Sequence, residues 1–286
     1  MLTVQETSLQ VRFWGVRGST PCPGPDTIIY GGNTSCLEIQ AGGSLFIIDL
    51  GTGARLLGDE LVSKAKKNNE KIKAEIFITH THWDHIMGFP MFTPLYTKDT
   101  ELRITAPYIS EKESLKEIFE TQLSHNFWPV RLNELSAAIE YNQIKETTLN
   151  YPGGLSITSK ILNHPIMCLG YRFDYRGKSI AIVYDHEPYN DSNDNEKVIQ
   201  FMKGADILIH DSHYTTEEYS SHVGWGHSTL DSALQNAIAA KVKTLVFFHH
   251  EPSHTDRKLE QLEKEYANRE VKCIMAKEGM LLKTEE

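Results

Sequence analysis

Cysteine is scarce in this chain of 286 residues: Cys22, Cys36, Cys168 and Cys273 form no CxxC pair and no disulfide-framework spacing. That argues against a disulfide-stapled scaffold and a cysteine-ligated metal, and the four thiols are expected to be reduced, as in a cytoplasmic protein. Long apolar runs are also missing. No stretch approaches the about 18 residues a membrane span needs, and residues 1–11 lack a basic start followed by an apolar segment, so neither membrane insertion nor secretion is expected. Positive charge is the third shortage. Lys and Arg number 29 against 38 Asp and Glu, a net charge of -9, which disfavours a broad electrostatic grip on a long nucleic acid. A local cationic centre could still hold one phosphate, so the expected substrate is small.

What is there is enough for a substantial core: 40% of the residues are hydrophobic and 23% charged. Strand-like runs fall at 10–15, 35–40, 44–49, 74–79 and 102–106 in the first half, with one helical stretch at 54–67. The second half repeats the style, with strands at 156–162, 168–175, 179–184, 207–210, 244–248 and 271–275 and helices at 195–203, 230–241 and 255–268. Strands clustered in each half with helices between them predict two packed sheets covered by helices, a four-layer αββα sandwich of the α/β (α+β) class in a single domain. Residues 98–143 read as a mostly helical insertion, with a helix at 110–124 followed by His125-Asn126-Phe127-Trp128-Pro129.

The densest chemistry is Thr79-His80-Thr81-His82-Trp83-Asp84-His85, directly after the apolar run 74–78. Residues two apart in an extended segment point the same way, so His80 and His82 can offer imidazoles to one ion while Asp84 and His85, at the following bend, turn toward a second. Packing gives no account of four nitrogen and carboxylate donors at a strand end. Other candidates also end strand-like runs: His164 after 157–162, Asp185 after 180–184, and His249 with His250 after 244–248. Asp49, before Gly51-Thr52-Gly53, fits two roles, a turn-former or a carboxylate that orients a ligating imidazole.

The intact HxHxDH pattern of His80, His82, Asp84 and His85 resembles the metallo-β-lactamase superfamily. The opening Phe13-Trp14-Gly15-Val16-Arg17-Gly18-Ser19-Thr20 with Gly31-Gly32-Asn33-Thr34-Ser35 is similar to the phosphodiesterase branch, which includes tRNase Z-like and bacterial cyclic-nucleotide phosphodiesterase-like proteins. His164 with Gly170-Tyr171-Arg172 resembles that branch's third-histidine region. The resemblance implies His80, His82 and His164 on one metal, Asp84, His85 and His249 on the other, and Asp185 bridging them, with Asp49 supporting a ligand. It also favours His249 over its neighbour His250.

His227-Ser228-Thr229, after Gly224-Trp225-Gly226, looks like the branch's HST motif. Diester hydrolysis can draw its attacking hydroxide from water on paired metals, but the leaving alkoxide needs a proton. A histidine outside the metal shell suits that task, with Asp211 or Glu251 as the carboxylate that keeps it charged. The resemblance implies this general-acid role for His227, which with Asp84 and Asp185 makes the expected catalytic set; Ser228 or Thr229 fits the cap of the helix at 230–241. Phe127 and Trp128 could wall a pocket or stack a base, and Arg172 could meet a phosphate oxygen or form a structural ion pair.

The expected activity is therefore hydrolysis of a small phosphodiester, a cyclic nucleotide foremost, with two divalent ions, zinc foremost and manganese or iron as alternatives. The alternatives are hydrolysis of a lactone, thioester or β-lactam, a tRNase Z-like ribonuclease, and a non-catalytic metal-containing nucleotide sensor. The chain lacks tRNase Z's long, basic, glycine-rich arm, which weakens the ribonuclease reading. A homodimer is the default assembly for a soluble enzyme.

Overall fold

A computed structural model describes residues 9–110 and 114–284. Residues 1–8 of the stretch 1–11 and residues 111–113 of the expected helix 110–124 lie outside the described residues. In chain order the elements are β1 (Gln10–Gly15), β2 (Cys36–Ala41), β3 (Ser44–Ile48), α1 (Ala54–Asn68), β4 (Ile72–Phe77), α2 (Trp83–Ile86), β5 (Thr100–Pro107), α3 (Leu115–Gln122) and β6 (Ala138–Ile144). The second half holds β7 (Thr148–Asn150), β8 (Leu155–Leu162), β9 (Cys168–Tyr175), β10 (Lys178–Val183), α4 (Ser192–Met202), β11 (Ile207–Asp211) and α5 (Thr216–Tyr219). It ends with α6 (Leu230–Ala239), β12 (Thr244–Phe248), α7 (Asp256–Tyr266), β13 (Lys272–Met275) and β14 (Leu281–Lys283).

Two seven-stranded sheets form, in the orders β14-β1-β2-β3-β4-β5-β6 and β13-β12-β11-β10-β9-β8-β7. The period-2 alternation of apolar residues explains how they stack. Phe46 and Ile48 of β3 and Phe77 of β4 meet Tyr171, Phe173, Ile180 and Ile182 of the other sheet in one buried layer. Ile47 and Ile76, one residue out of phase, face outward against Leu57 of α1 and Phe119 of α3. Ala181 and Val183 likewise face Val198 of α4, Leu234 of α6 and Leu259 of α7. Four layers result, helix, sheet, sheet, helix, as expected.

Residues 98–143 differ from the mostly helical insertion expected. β5, the strand expected at 102–106, and the unexpected β6, which runs on to Ile144, are the last two parallel strands of the first sheet, with register Leu102↔Ile139 and Ile104↔Tyr141. The helical part shrinks to α3, whose Ser114 and Glu117 form a capping box. β6 leaves little apolar pattern in the sequence because an edge strand needs only one buried face, and its Glu140, Asn142 and Gln143 dilute the apolar signal.

The parallel strands position the chemistry. β3, β4, β5 and β6 run parallel in one sheet and β10, β11, β12 and β13 in the other. Their carboxyl ends bring Asp49, the 79–85 stretch, Asp185, Asp211 and His249 to one edge of the sandwich. A cavity of about 700 Å³ lined by Ser44, Glu75, Arg103 and Glu140 lies by the opposite ends of β3 to β6, and none of these clustered residues lines it.

Candidate metal centre

Three residues that follow their strands, Asp49, Asp185 and His249, take left-handed backbone angles, φ 61, 56 and 64. Asp and His tolerate that region better than branched or bulky residues do. All three side chains enter the buried cluster at the strand ends.

His80, His82 and His164 form one group and Asp84, His85, Asp185 and His249 a second, with the donor atoms within each group lying within 4.8 Å of one another. His164 Nε2 stands 3.1 Å from His82 Nδ1. Asp185 lies between the groups: Oδ1 is 3.8 Å from His80 Nε2, while Oδ2 is 3.2 Å from His85 Nε2 and 3.3 Å from His249 Nε2. Asp84 Oδ2 is 3.1 Å from His85 Nε2 and 3.2 Å from His249 Nε2, and it accepts the Ser19 backbone N–H at 2.8 Å. His250 turns the other way, its Nε2 meeting the Ala276 carbonyl at 2.9 Å.

The donors fit cations. His80 Nε2, His85 Nε2 and Asp185 Oδ2 are buried without a hydrogen-bond partner among the described residues. Buried, unpaired polar groups converging in this way are costly unless a positive charge joins them. Burial, followed by His85 for His80, holds the His80 imidazole well below the usual histidine range, and burial takes His164 down to about 4, so both offer neutral nitrogens. Burial also opposes charge on His85, but Asp84, Asp185 and Asp49 outweigh it and push its pKa well up. The carboxylates thus demand a cation at that end of the cluster. A donor set of imidazole and carboxylate alone suits zinc and related divalent ions.

Asp49 orients His85. Its Oδ2 accepts from His85 Nδ1 at 2.7 Å, Tyr184 OH at 2.8 Å and Thr79 Oγ1 at 2.9 Å, and Oδ1 takes the Thr79 N–H at 2.7 Å. The ring is thereby fixed with Nε2 toward Asp84 and Asp185. His164 is fixed by Nδ1 against the Gly226 carbonyl at 3.1 Å. Gly18 approaches closely because a Cβ there would meet the His249 ring at 2.4 Å.

His227 lies beside this cluster, outside both histidine groups just described. Its Nδ1 is 2.9 Å from Asp211 Oδ2, which leaves Nε2 free to serve a substrate. Burial opposes its charge, yet Asp211, with Asp185 and Asp84, outweighs it and raises the pKa to about 9. Of the two carboxylates that suited this role, Asp211 is the partner. It also accepts from the N–H groups of Ser228 and His213 at 2.9 and 3.1 Å. His213 is buried and stacks on His227 with ring centroids 4.4 Å apart. Thr229 caps α6 by accepting from the Ser232 N–H.

Two of the three expected pocket residues are engaged elsewhere. Arg172 donates Nε to both oxygens of Asp174 and Nη1 to the Phe201 and Lys203 carbonyls, a structural role at the end of α4 rather than a phosphate contact. Trp128 packs on the outer face of the first sheet and donates to Tyr96 OH at 3.1 Å, while Phe127 is 72% exposed. The insertion's own packing engages Trp128.

The protein family described as "Beta-lactamase superfamily domain" matches residues 46–250. A ribonuclease Z of Picrophilus torridus is 22% identical over 88% of this chain and 89% of its own length. Among solved structures, the metallo-β-lactamase fold protein YhfI from Bacillus subtilis superposes with a TM-score of 0.69 at 17% identity, covering 96% of this chain and 99% of that one. A diphosphatase from the PhnP family superposes with a TM-score of 0.63 at 19% identity over 96% of this chain and 97% of its own. With a family match over well more than half its length and a four-layer sandwich bearing this histidine and aspartate cluster, the chain belongs to the metallo-β-lactamase superfamily of hydrolases.

Proposed function

We propose that the protein is a two-metal phosphodiesterase acting on a small phosphodiester, a cyclic nucleotide foremost. His80, His82 and His164 would hold one divalent ion, Asp84, His85 and His249 the other, and Asp185 both. When bound, such a pair supplies an activated water and neutralises charge that develops on the phosphoryl oxygens. The protein's own residues do the rest. Asp49 aims His85, the Gly226 carbonyl aims His164, and His227 carries a proton on Nε2 for the leaving oxygen while Asp211 holds Nδ1.

The carrying observation is the His227–Asp211 pair at 2.9 Å beside the cluster. Expulsion of an alkoxide from a phosphodiester calls for a proton, and a histidine held by a carboxylate beside the ligand cluster is placed to give one. The test is hydrolysis of a panel of cyclic mononucleotides and an aryl phosphodiester by protein loaded with Zn²⁺ or Mn²⁺. The His227→Ala variant should keep its metals and lose on the order of 10²-fold or more in turnover of cyclic nucleotides. Undiminished turnover in that variant would sink the assignment of His227, and no diester turnover by the wild type would sink the phosphodiesterase reading.

A ribonuclease Z-like activity is the second reading, favoured by the match to the Picrophilus torridus ribonuclease Z over most of both chains. The net charge of -9 weighs against it, since tRNA binding draws on phosphate neutralisation. Cleavage of a precursor tRNA, followed in the same assays, decides between the two.

A further inference from the structure

Glu187 is not used in the mechanism above, yet it is nearly buried two residues beyond Asp185. Its carboxylate receives three hydrogen bonds from the end of α5 and the loop that follows it. Tyr219 OH and the Gly224 N–H donate to Oε1 at 2.5 and 2.8 Å, and the Gly226 N–H donates to Oε2 at 2.9 Å. The Glu187 N–H in turn donates to the Asn163 carbonyl at 2.9 Å, next to His164.

That loop serves both halves of the site. The Gly226 carbonyl receives His164 Nδ1, and the next residue is His227. Gly224 and Gly226 have φ of 88 and 87, and a Cβ on Gly226 would stand 2.2 Å from His164 Nδ1, so the backbone is pressed against the ligand. Apolar burial does little to anchor the segment, because Val223 and Trp225 are 65% and 60% exposed. Its inward-facing N–H groups need an acceptor, and two N–H groups plus a hydroxyl call for a group that only accepts, which an ionised carboxylate is.

We propose that Glu187 is a positioning residue that clamps the 219–227 loop and so sets the orientation of His164 and the placement of His227 together. The part concerning His227 rests on the phosphodiesterase reading. Glu187→Gln replaces one acceptor with an NH₂ donor that faces N–H donors, which releases one strand of the clamp while keeping the size of the side chain. Tyr219→Phe removes a single bond from the opposite side and serves as an independent, milder release.

The experiment compares metal-loaded full-length wild type, Glu187→Gln and Tyr219→Phe by two readouts. Hydrogen exchange followed by mass spectrometry should show the 219–228 peptide exchanging at least tenfold faster in Glu187→Gln, with other peptides unchanged and a smaller change in Tyr219→Phe. Turnover of a 4-nitrophenyl diester, whose leaving group needs no proton, should fall at least tenfold less than turnover of an alkyl diester, with KM little altered. Unchanged exchange overturns the clamp. Faster exchange with equal losses on both diesters overturns the link to His227. If wild type cleaves neither diester, the phosphodiesterase reading has failed, and the exchange result still decides the clamp.

Discussion

Asp49 gathers four donors, from His85, Tyr184 and Thr79, and three of them are side chains. An amide at this position must turn an NH₂ toward one of these donors, so Asp49→Asn should loosen the His85 ring. Divalent-metal affinity, read by competition with a chelating dye, is expected to drop 10- to 100-fold; an unchanged affinity would mean that the network supports the fold alone. Such residue-level roles were unevenly legible. The ligand candidates stood out because each ended an apolar run. The partner of His227 could not be chosen between Asp211 and Glu251, since both follow strands and only the turn after β12 carries Glu251 away, where it receives the Ser253 N–H instead. Arg172 was decipherable in principle: Asp174 lies two residues on, hence on the same face of β9.

At the scale of elements, β1, β9 and β12 have the bounds their apolar runs suggest, and most other strands differ by a residue or two at an end. The elements not legible are short, polar or both: β6, β7 and β14 are sheet-edge strands, and α2 and α5 are four-residue helices, α2 inside the metal motif. Edge strands bury one face and leave a weak pattern. Helix starts were uneven: α1 and α6 begin at 54 and 230 as expected and α7 one residue later than expected, but α3 begins five residues later and α4 three earlier. Thr229 caps α6 two residues after His227 through the Ser232 N–H, so a change there reports on the element more than on the site's ligands. Thr229→Ala should cost about 1 kcal/mol and lower Tm by about 2 °C, measured calorimetrically; no change would show that α6 is held by its packing on the second sheet alone.

At the scale of the whole molecule, the centre is set among buried neutral histidines whose burial depends on the fold. His210 is fully buried, with Nδ1 against the Asp211 carbonyl at 2.7 Å and Nε2 against the Asn236 amide at 3.2 Å. Burial lowers its pKa below the ordinary value of 6.5. Below about pH 6.5 the unfolded chain therefore binds a proton that the folded chain refuses, and stability falls as pH drops. Urea midpoints followed from pH 7 to 5 should decline less steeply in His210→Gln than in wild type. The limiting difference is about 1.4 kcal/mol per pH unit, and parallel slopes would show that His210 titrates alike in both states. The left-handed turns at Asp49, Asp185 and His249 carry a different consequence. Each residue holds a conformation that glycine adopts without penalty, so glycine at Asp185 or His249 would relax the backbone while removing a ligand candidate, whereas at Asp49 it would strip four buried donors of their acceptor. Directed evolution for heat resistance alone would therefore be drawn toward Asp185 and His249 and would dismantle the centre first, whereas a selection that also demands metal retention would keep the strain in place.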